Sequence, residues 1–369
     1  MLRSEQAAMD GELSAFPMLD PHACASGEQA VAIAATPLQV LRFLVEATER
    51  GQCIALVTIT HLTGSSSRPV GPLMGVAEDG GFAGSFSGGC IEAAVVAEAQ
   101  EAMRERKPRQ VRYGAGSPYL DIRLPCGGGV DLLFQPDPDL AVIRRACAVL
   151  EQRRPLSLIQ HASGGLRVVG DATRAAPSWQ GDTFVSWYAP ALKIVVIGHG
   201  AESLALVQLG LSFGAEVQLL SPDERVGALA ADLGARVELL TMPGPTQALA
   251  TDPWSAVVFL VHDHAWEPAL IAQALGQRAF FIGAMGSRRT HAQRLEKLRE
   301  RGVTEECLSR IVAPLGLIPS ARDPMTLGLS ALAQVVESYR QETAMTSETR
   351  KEIQIPPDNF SSSSVVSTS

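Results

Sequence analysis

LKIVVIGHGAES, residues 192–203, is the stretch on which the fold turns. Its aliphatic run from Ile194 to Ile197 does not alternate with polar residues, so it reads as a strand buried on both faces. Gly198-His199-Gly200 then closes the strand in a tight turn, and a helical pattern opens over 202–213. The same grammar repeats downstream: EVQLL at 216–220, AVVFLV at 256–261, a helix over 269–275, AFFIG at 279–283 and a helix over 288–301. Continuous apolar strands separated by helices require a parallel sheet covered on both sides. Residues 190–340 are therefore expected to form a doubly wound, Rossmann-like α/β domain.

Upstream the pattern is mixed. Thr36 suits an N-cap and Pro37 the first helical position, and apolar residues recur at Val40, Leu41, Leu44 and Val45 until Gly51. A strand, CIALVTIT, follows at 53–60, then the loop GSSSRPVG at 64–71. Segments 73–77 and 81–85 around EDGG read as a hairpin, followed by a helix over 90–103 and strands at 120–124 and 130–134. Between 141 and 186 the sequence predicts one helix, a hairpin made of LSLIQH and LRVVGD, and a polar linker. Residues 31–185 thus form a first, α+β domain, preceded by a loose leader (1–30) and followed, beyond the second domain, by a disordered tail (341–369) ending in PPDNFSSSSVVSTS.

The composition narrows the function. A net charge of −8 disfavours a binder of nucleic-acid backbone, and 46% apolar with 19% charged residues fits a folded globular chain. MLRSEQAAMDGELSAF has no apolar core of a signal peptide, and the aliphatic runs are too short to span a bilayer. A cytoplasmic protein with six reduced cysteines and no membrane partner is expected.

In doubly wound sheets ligands gather at the carboxyl ends of the strands. Those ends read Gly198-His199-Gly200, Ser221, His262-Asp263-His264 and Gly286-Ser287-Arg288-Arg289. G-x-G-x-x-S at 198–203 is either a phosphate cradle or a ligand-free turn. The acid that would grip an NAD ribose is absent, because Ser221 and Pro222 follow the second strand and Asp223 lies two residues late; NAD(P) is the less favoured cofactor. Arg288 and Arg289 sit in a helix first turn, where each opposes the helix dipole by roughly 0.3–1 kcal/mol. An anionic ligand would reverse that penalty. The two histidines around Asp263 supply at most two metal ligands, so hydrogen bonding to a polar ligand is the better reading of His262, Asp263 and His264.

Two thiols have glycine neighbours: Gly88-Gly89-Cys90-Ile91-Glu92 and Cys126-Gly127-Gly128-Gly129. Cys90 falls at the expected helix start, where unpaired N–H groups favour a thiolate, and Glu92 stands about where a capping-box Glu reaches back. Buried, inert thiols are the alternative for both. Cys24, Cys53, Cys147 and Cys307 lack that context and read as structural.

GSSSRPVGPLMGVAEDGGFAGSFSGGCIEAAV (64–95) with CGGGVDLLF (126–134) resembles the first domain of the XdhC/CoxI accessory proteins. VHDHAWEPALIAQAL, AFFIGAMGSRR and RIVAPLGLIPSARDPMTLGLSALAQVV resemble the family's second, Rossmann-like domain, and the likeness spans residues 36–340. The resemblance implies an accessory protein, not an enzyme. It would carry molybdenum cofactor (molybdopterin), protect it during sulfuration and pass it to a xanthine dehydrogenase or aldehyde oxidase-type molybdenum hydroxylase, with a cysteine desulfurase as a second partner. On that basis Cys90 and Cys126 would lie near the molybdenum, while Gly198, Gly200, Ser287 and Arg288 would hold the phosphate or pterin end in a cleft between the domains. A homodimer is the base-rate expectation. The rivals are an NAD(P)-dependent oxidoreductase and a bare docking module. The sequence departs from the family pattern at Ala201, where the family's turn carries His, and at Ser221, where it carries an acid.

Overall fold

The computed structural model describes residues 31–32, 35–64, 69–87, 91–117, 127–261 and 266–343. The expected strand at 120–124, the leader and all but the first three residues of the tail lie outside them.

The first sheet is built from β1 (Val31–Ala32), β2 (Ile54–Thr63), β3 (Leu73–Ala77), β4 (Phe82–Ala83), β5 (Arg109–Gly114) and β6 (Gly129–Pro136), in the order β1-β4-β3-β2-β6-β5. Only β1 and β4 run parallel. Central β2 reads as continuously apolar because both of its faces are covered. Ile54 and Leu56 join the core under α1 (Pro37–Glu49), and Ala55, Val57 and Ile59 join the core under α2 (Glu92–Glu105). α1 starts as expected, with a reciprocal cap: Thr36 Oγ1 accepts from Gln39 N at 3.3 Å and Gln39 Oε1 accepts from Thr36 N at 2.7 Å. β5 was not anticipated, because its charged Arg109 and Arg112 hide it; Arg109 is paired with Glu98 and Glu105 of α2 at 2.5 and 2.8 Å.

After α3 (Leu140–Glu151) a second, antiparallel sheet forms from β7 (Leu156–His161), β8 (Leu166–Gly170), β9 (Ser178–Gln180) and β10 (Thr183–Tyr188), in the order β8-β7-β10-β9. The β7–β8 hairpin matches the sequence reading. The expected polar linker does not: β10 pairs with β7 along its whole length, burying Phe184, Val185 and Ser186.

The second half is the doubly wound sheet. Its elements are β11 (Lys193–Gly198), α4 (Ala201–Phe213), β12 (Glu216–Ser221), α5 (Glu224–Asp232), β13 (Arg236–Leu239), β14 (Ser255–Leu260), α6 (Glu267–Leu275), β15 (Phe281–Ala284), α7 (Arg288–Glu300), α8 (Glu305–Leu308), β16 (Ile311–Val312) and α9 (Pro324–Thr343). All six strands are parallel, in the order β13-β12-β11-β14-β15-β16, so strand order reverses between β11 and β14. Two apolar cores sandwich the sheet, one around Val196, Leu219 and Val258 with α4 and α9, the other around Val195, Val257 and Ile282 with α6 and α7. α9 packs closely on α4 because Gly328 lies against Ala205 and Leu206, where a Cβ would come within 3.1 Å of the Leu206 nitrogen.

The halves meet at the amino ends of these strands. Arg153, held at φ +57°, pairs with Glu216 at 2.9 Å and with Asp252, and donates to the Trp254 carbonyl at 3.4 Å. The rings of Trp187 and Trp254 stack at 5.7 Å, and Tyr339 donates to the Pro190 carbonyl at 2.7 Å.

Candidate functional site

The carboxyl edge of the parallel sheet brings together the ends of β11, β14 and β15, with the strand-order reversal between the first two. Gly198, Gly200, Gly286, Ser287 and Arg288 are all placed there, while His262, Asp263 and His264 lie outside the described residues. The two helix starts on this edge differ in charge. α4 has Gly200 as N-cap with no side-chain cap, and already carries Glu202 in its first turn. α7 has no acid in its first turn; Ser287 caps it, accepting from Thr290 N at 3.1 Å, and Arg288 and Arg289 are exposed. Neither arginine has an ion-pair partner among the described residues. With two cations on its half-positive end and no ion-pair partner for them among the described residues, α7 favours an anion more than α4 does.

Gly198 turns out to serve packing. A Cβ there would overlap Ser203 Oγ and lie 2.8 Å from the Leu260 carbonyl, so glycine lets α4 approach β11 and β14. Ser203 is fully buried, and its hydroxyl has no hydrogen-bond partner. The end of β12 is likewise occupied locally. Ser221 Oγ accepts from Asp223 N at 3.1 Å, and the Asp223 carboxylate caps α5 by accepting from Arg225 N at 2.8 Å and Val226 N at 3.2 Å. Asp223 and Glu224 border the open depression of about 440 Å³ beside His199, but the Asp223 carboxylate is already engaged in capping α5.

The described flanks of the glycine-flanked thiols lie in the first sheet. β3 is antiparallel to β2 and β4 is antiparallel to β3, so β4 finishes at the same sheet end as β2. There too β5 finishes and β6 begins. From this end the chain enters 88–90 and leaves 118–126, so Gly88, Gly89, Cys90 and Cys126 lie outside the described residues but between flanks that share one edge. The strand tips are drawn together by glycine. A Cβ on Gly129 would be 2.6 Å from the Ala115 carbonyl, and one on Gly64 would be 3.1 Å from Gly128 Cα. Gly127 takes a left-handed φ of +67° with open space beyond it. Arg112, which the sequence reading missed, donates to Thr63 Oγ1 at 2.8 Å and to the Ala115 carbonyl at 2.9 Å, tying these tips together.

Glu92 has a different role from the one its position suggested. α2 begins at Glu92 with Ile91 as N-cap, two residues after the expected start at Cys90. The carboxylate is 5% exposed and turned into the preceding loop. Oε1 accepts from Ser85 Oγ at 2.7 Å, Phe86 N at 2.9 Å and Ser87 N at 2.8 Å; Oε2 accepts from Ser87 Oγ at 2.7 Å and Ile91 N at 3.2 Å. Burial pushes its pKa up, but the donors from Ser85 and Ser87 outweigh it and bring it down to about 2. Glu92 organises the loop that leads to Cys90, with its lone pairs already used.

The expected cleft between the halves would also draw on Cys90, Cys126, His262, Asp263 and His264, which lie outside the described residues. The halves meet at the amino ends of the parallel strands, whereas Gly200, Ser287 and Arg288 lie at the carboxyl ends, about 20 Å away for six residues at roughly 3.3 Å each. The cavity that does separate the halves, about 580 Å³ and bordered by Thr36, Gly71, Trp187, Tyr188, Phe213 and Tyr339, has no charged residue in its described lining. Among the described residues no group of three or more His, Cys, Asp or Glu gathers to hold a metal, and no helix is long and apolar enough to cross a membrane.

Residues 194–335 match the family described as the XdhC Rossmann domain, and residues 47–114 match the XdhC and CoxI family. Over 300 residues the chain is 37% identical to the molybdenum cofactor insertion chaperone PaoD of Escherichia coli (strain K12), covering 80% of this chain and 86% of that protein. The chain belongs to the XdhC/CoxI family. A more distant relative within reach of this XdhC/CoxI protein is the uncharacterized YqeB of the same bacterium, 23% identical over 299 residues, covering 77% of this chain and 43% of YqeB. Among solved structures, one described as a xanthine dehydrogenase from Bacillus halodurans superposes with a TM-score of 0.68 at 21% identity, covering 84% of this chain and 98% of that one, which establishes a shared fold.

Proposed function

We propose that this XdhC/CoxI protein is an insertion chaperone that carries molybdenum cofactor, without using it in catalysis, and delivers it to a molybdenum hydroxylase of the xanthine dehydrogenase or aldehyde oxidase type. The observation that carries the reading is the 37% identity to an insertion chaperone along 80% of the chain, which takes in both halves. The chemistry of the carboxyl edge agrees with it. The cargo ends in a phosphate, and α7 offers Arg288, Arg289 and its first free N–H groups, with no acid in its own first turn. Gly200, just past the end of β11 on the same sheet edge, allows close approach of a ligand, and His262, Asp263 and His264 are assigned as hydrogen-bonding groups to the pterin. Cys90 and Cys126 supply soft thiolate neighbours suited to the metal end during sulfuration, for which a cysteine desulfurase would be the sulfur source. The bound cofactor brings the molybdenum and its dithiolene; the chain's own part is to bind, orient and exclude water. Binding in the reduced cytoplasm keeps both thiols free.

The working unit we propose is a homodimer, the commonest closed assembly, in which the two copies could share one site. Anaerobic titration with molybdenum cofactor, scored by filtration and pterin fluorescence with NAD as control, tests the carrier reading. Near-stoichiometric uptake with NAD ignored supports it; retention of NAD without cofactor uptake would replace it with an oxidoreductase. Mixing Cys90→Ala copies with Arg288→Ala/Arg289→Ala copies tests the dimer. A shared site regains binding in the mixture, whereas a site within one chain stays defective.

A further inference from the structure

Glu267 and Arg294 form an ion pair of 2.7 Å with side chains only 4% and 2% exposed. Glu267 is the first residue of α6, after β14; Arg294 stands in the second turn of α7, after β15. The same Arg294 Nη2 also donates to the Met285 carbonyl at 2.7 Å. Met285 N in turn donates to the Phe259 carbonyl of β14 at 2.9 Å. Between Met285 and the helix lies Gly286 at φ +132°, a conformation L side chains rarely take, and a Cβ there would come within 3.5 Å of that guanidinium. Arg294 Nη1 faces His291 Nδ1 at 3.5 Å, and burial, followed by the arginine's charge, lowers the His291 pKa. One guanidinium therefore lies beneath the turn that presents Ser287 and Arg288, and ties it to α6.

We propose that Glu267 and Arg294 are positioning residues for the anion seat at the start of α7, a role that rests on the carrier reading above. Stability is a poor reason for the pair, since a buried ion pair can commonly be replaced by apolar side chains at little or no cost. What apolar side chains do not supply is direction. One guanidinium nitrogen, Nη2, donates to Glu267 and to the Met285 carbonyl at once, and the rigid plane that carries it fixes where the Gly286 turn stands. With the turn fixed, the α7 N–H groups are already aimed when the ligand arrives, and the arginines start from a fixed backbone.

The test is the paired apolar variant Glu267→Met/Arg294→Leu beside Arg294→Lys, with Arg288→Ala/Arg289→Ala marking the seat itself. Hydrogen exchange over 285–291 and anaerobic calorimetric titration with molybdenum cofactor are read on each, with urea unfolding as the check on folding. A positioning pair predicts that the apolar variant unfolds cooperatively yet exchanges faster over 285–291. It also binds cofactor about tenfold more weakly, as loss of outer-layer support does at other ligand sites, and Arg294→Lys falls between. Unchanged exchange and affinity in the folded apolar variant would overturn the proposal. If Arg288→Ala/Arg289→Ala leaves cofactor binding intact, the seat itself has been misread, and exchange over 285–291 alone decides whether the pair positions the turn.

Discussion

Glu92→Gln isolates the charge that organises the loop leading to Cys90. In the folded chain the carboxyl titrates at about 2 against an ordinary 4.5. Burial acts to raise it, and the hydrogen bonds from Ser85 and Ser87 more than reverse that. The folded value is the lower one, so the stabilisation is complete above the ordinary value and fades as pH falls towards 2. A difference of about 2.5 units at 1.36 kcal/mol each sets an upper value of about 3 kcal/mol at neutral pH, with less than half of it left at pH 3. Glutamine keeps one oxygen for Ser85, Phe86 and Ser87 but turns an NH₂ group towards Ser87 Oγ and Ile91 N, which are both donors at present. Urea unfolding of both proteins at pH 7 and pH 3 reads the effect. The variant should unfold at lower urea at pH 7, by about 1–3 kcal/mol, and the gap should narrow at pH 3. Equal stability at pH 7, or a gap that does not narrow in acid, would refute the assignment of Glu92 as a charged loop organiser.

Three other outcomes follow from the geometry. Gly198→Ala should cost about 1–3 kcal/mol by forcing α4 away from β14, while Gly244→Ala, with nothing within 4 Å of its Cβ, should be neutral in the same thermal melts. Arg153→Met removes the half-buried cation between the halves and leaves Asp252 with only Trp254 N and Ser255 Oγ, at a cost of about 1–3 kcal/mol. Tryptophan fluorescence, reporting the Trp187–Trp254 contact, should then change before the bulk of the ellipticity is lost. Arg288→Ala/Arg289→Ala should leave the melting temperature unchanged, because both side chains are exposed and have no ion-pair partner among the described residues, and lower the affinity for inorganic pyrophosphate measured by calorimetry.

The doubly wound half was legible because its central strands are buried on both faces and so spell unbroken apolar runs, as Ile194–Ile197 does. The strands that escaped notice are those where burial is partial or polar. β13 buries no residue fully, and β10 carries Ser186, which is 0% exposed yet reads as a linker residue. The anion seat was visible in Gly286-Ser287-Arg288. Its support was not, because Arg294 sits among seven other charged or titratable residues in RRTHAQRLEKLRE and looks like another solvated cation. One signal could have found it: Arg294 stands four residues before Leu298, the fully buried residue of α7, and so shares its inward face. The packing duty of Gly198 was invisible, since what crowds it, Leu260, lies 62 positions away and meets it only when β11 and β14 pair.

The polarity of the parallel sheet explains why each function sits at its own end. Every helix that follows a strand points its half-positive start to the carboxyl edge and its half-negative finish to the amino edge. The contact between the halves obeys the second rule. Arg153 brings its cation to Glu216, two residues past the Gly214 that ends α4, and to Asp252 just before β14, so one buried charge latches onto an edge that is negative by construction. The ligand edge obeys the first. With its negative partner used at the amino end, the first half leaves the half-positive starts of α4 and α7 uncovered. Glu202 answers one of them, and the other is made more positive still by Arg288 and Arg289. An anion bound at α7 would not compete with the latch, so loading the seat need not separate the halves.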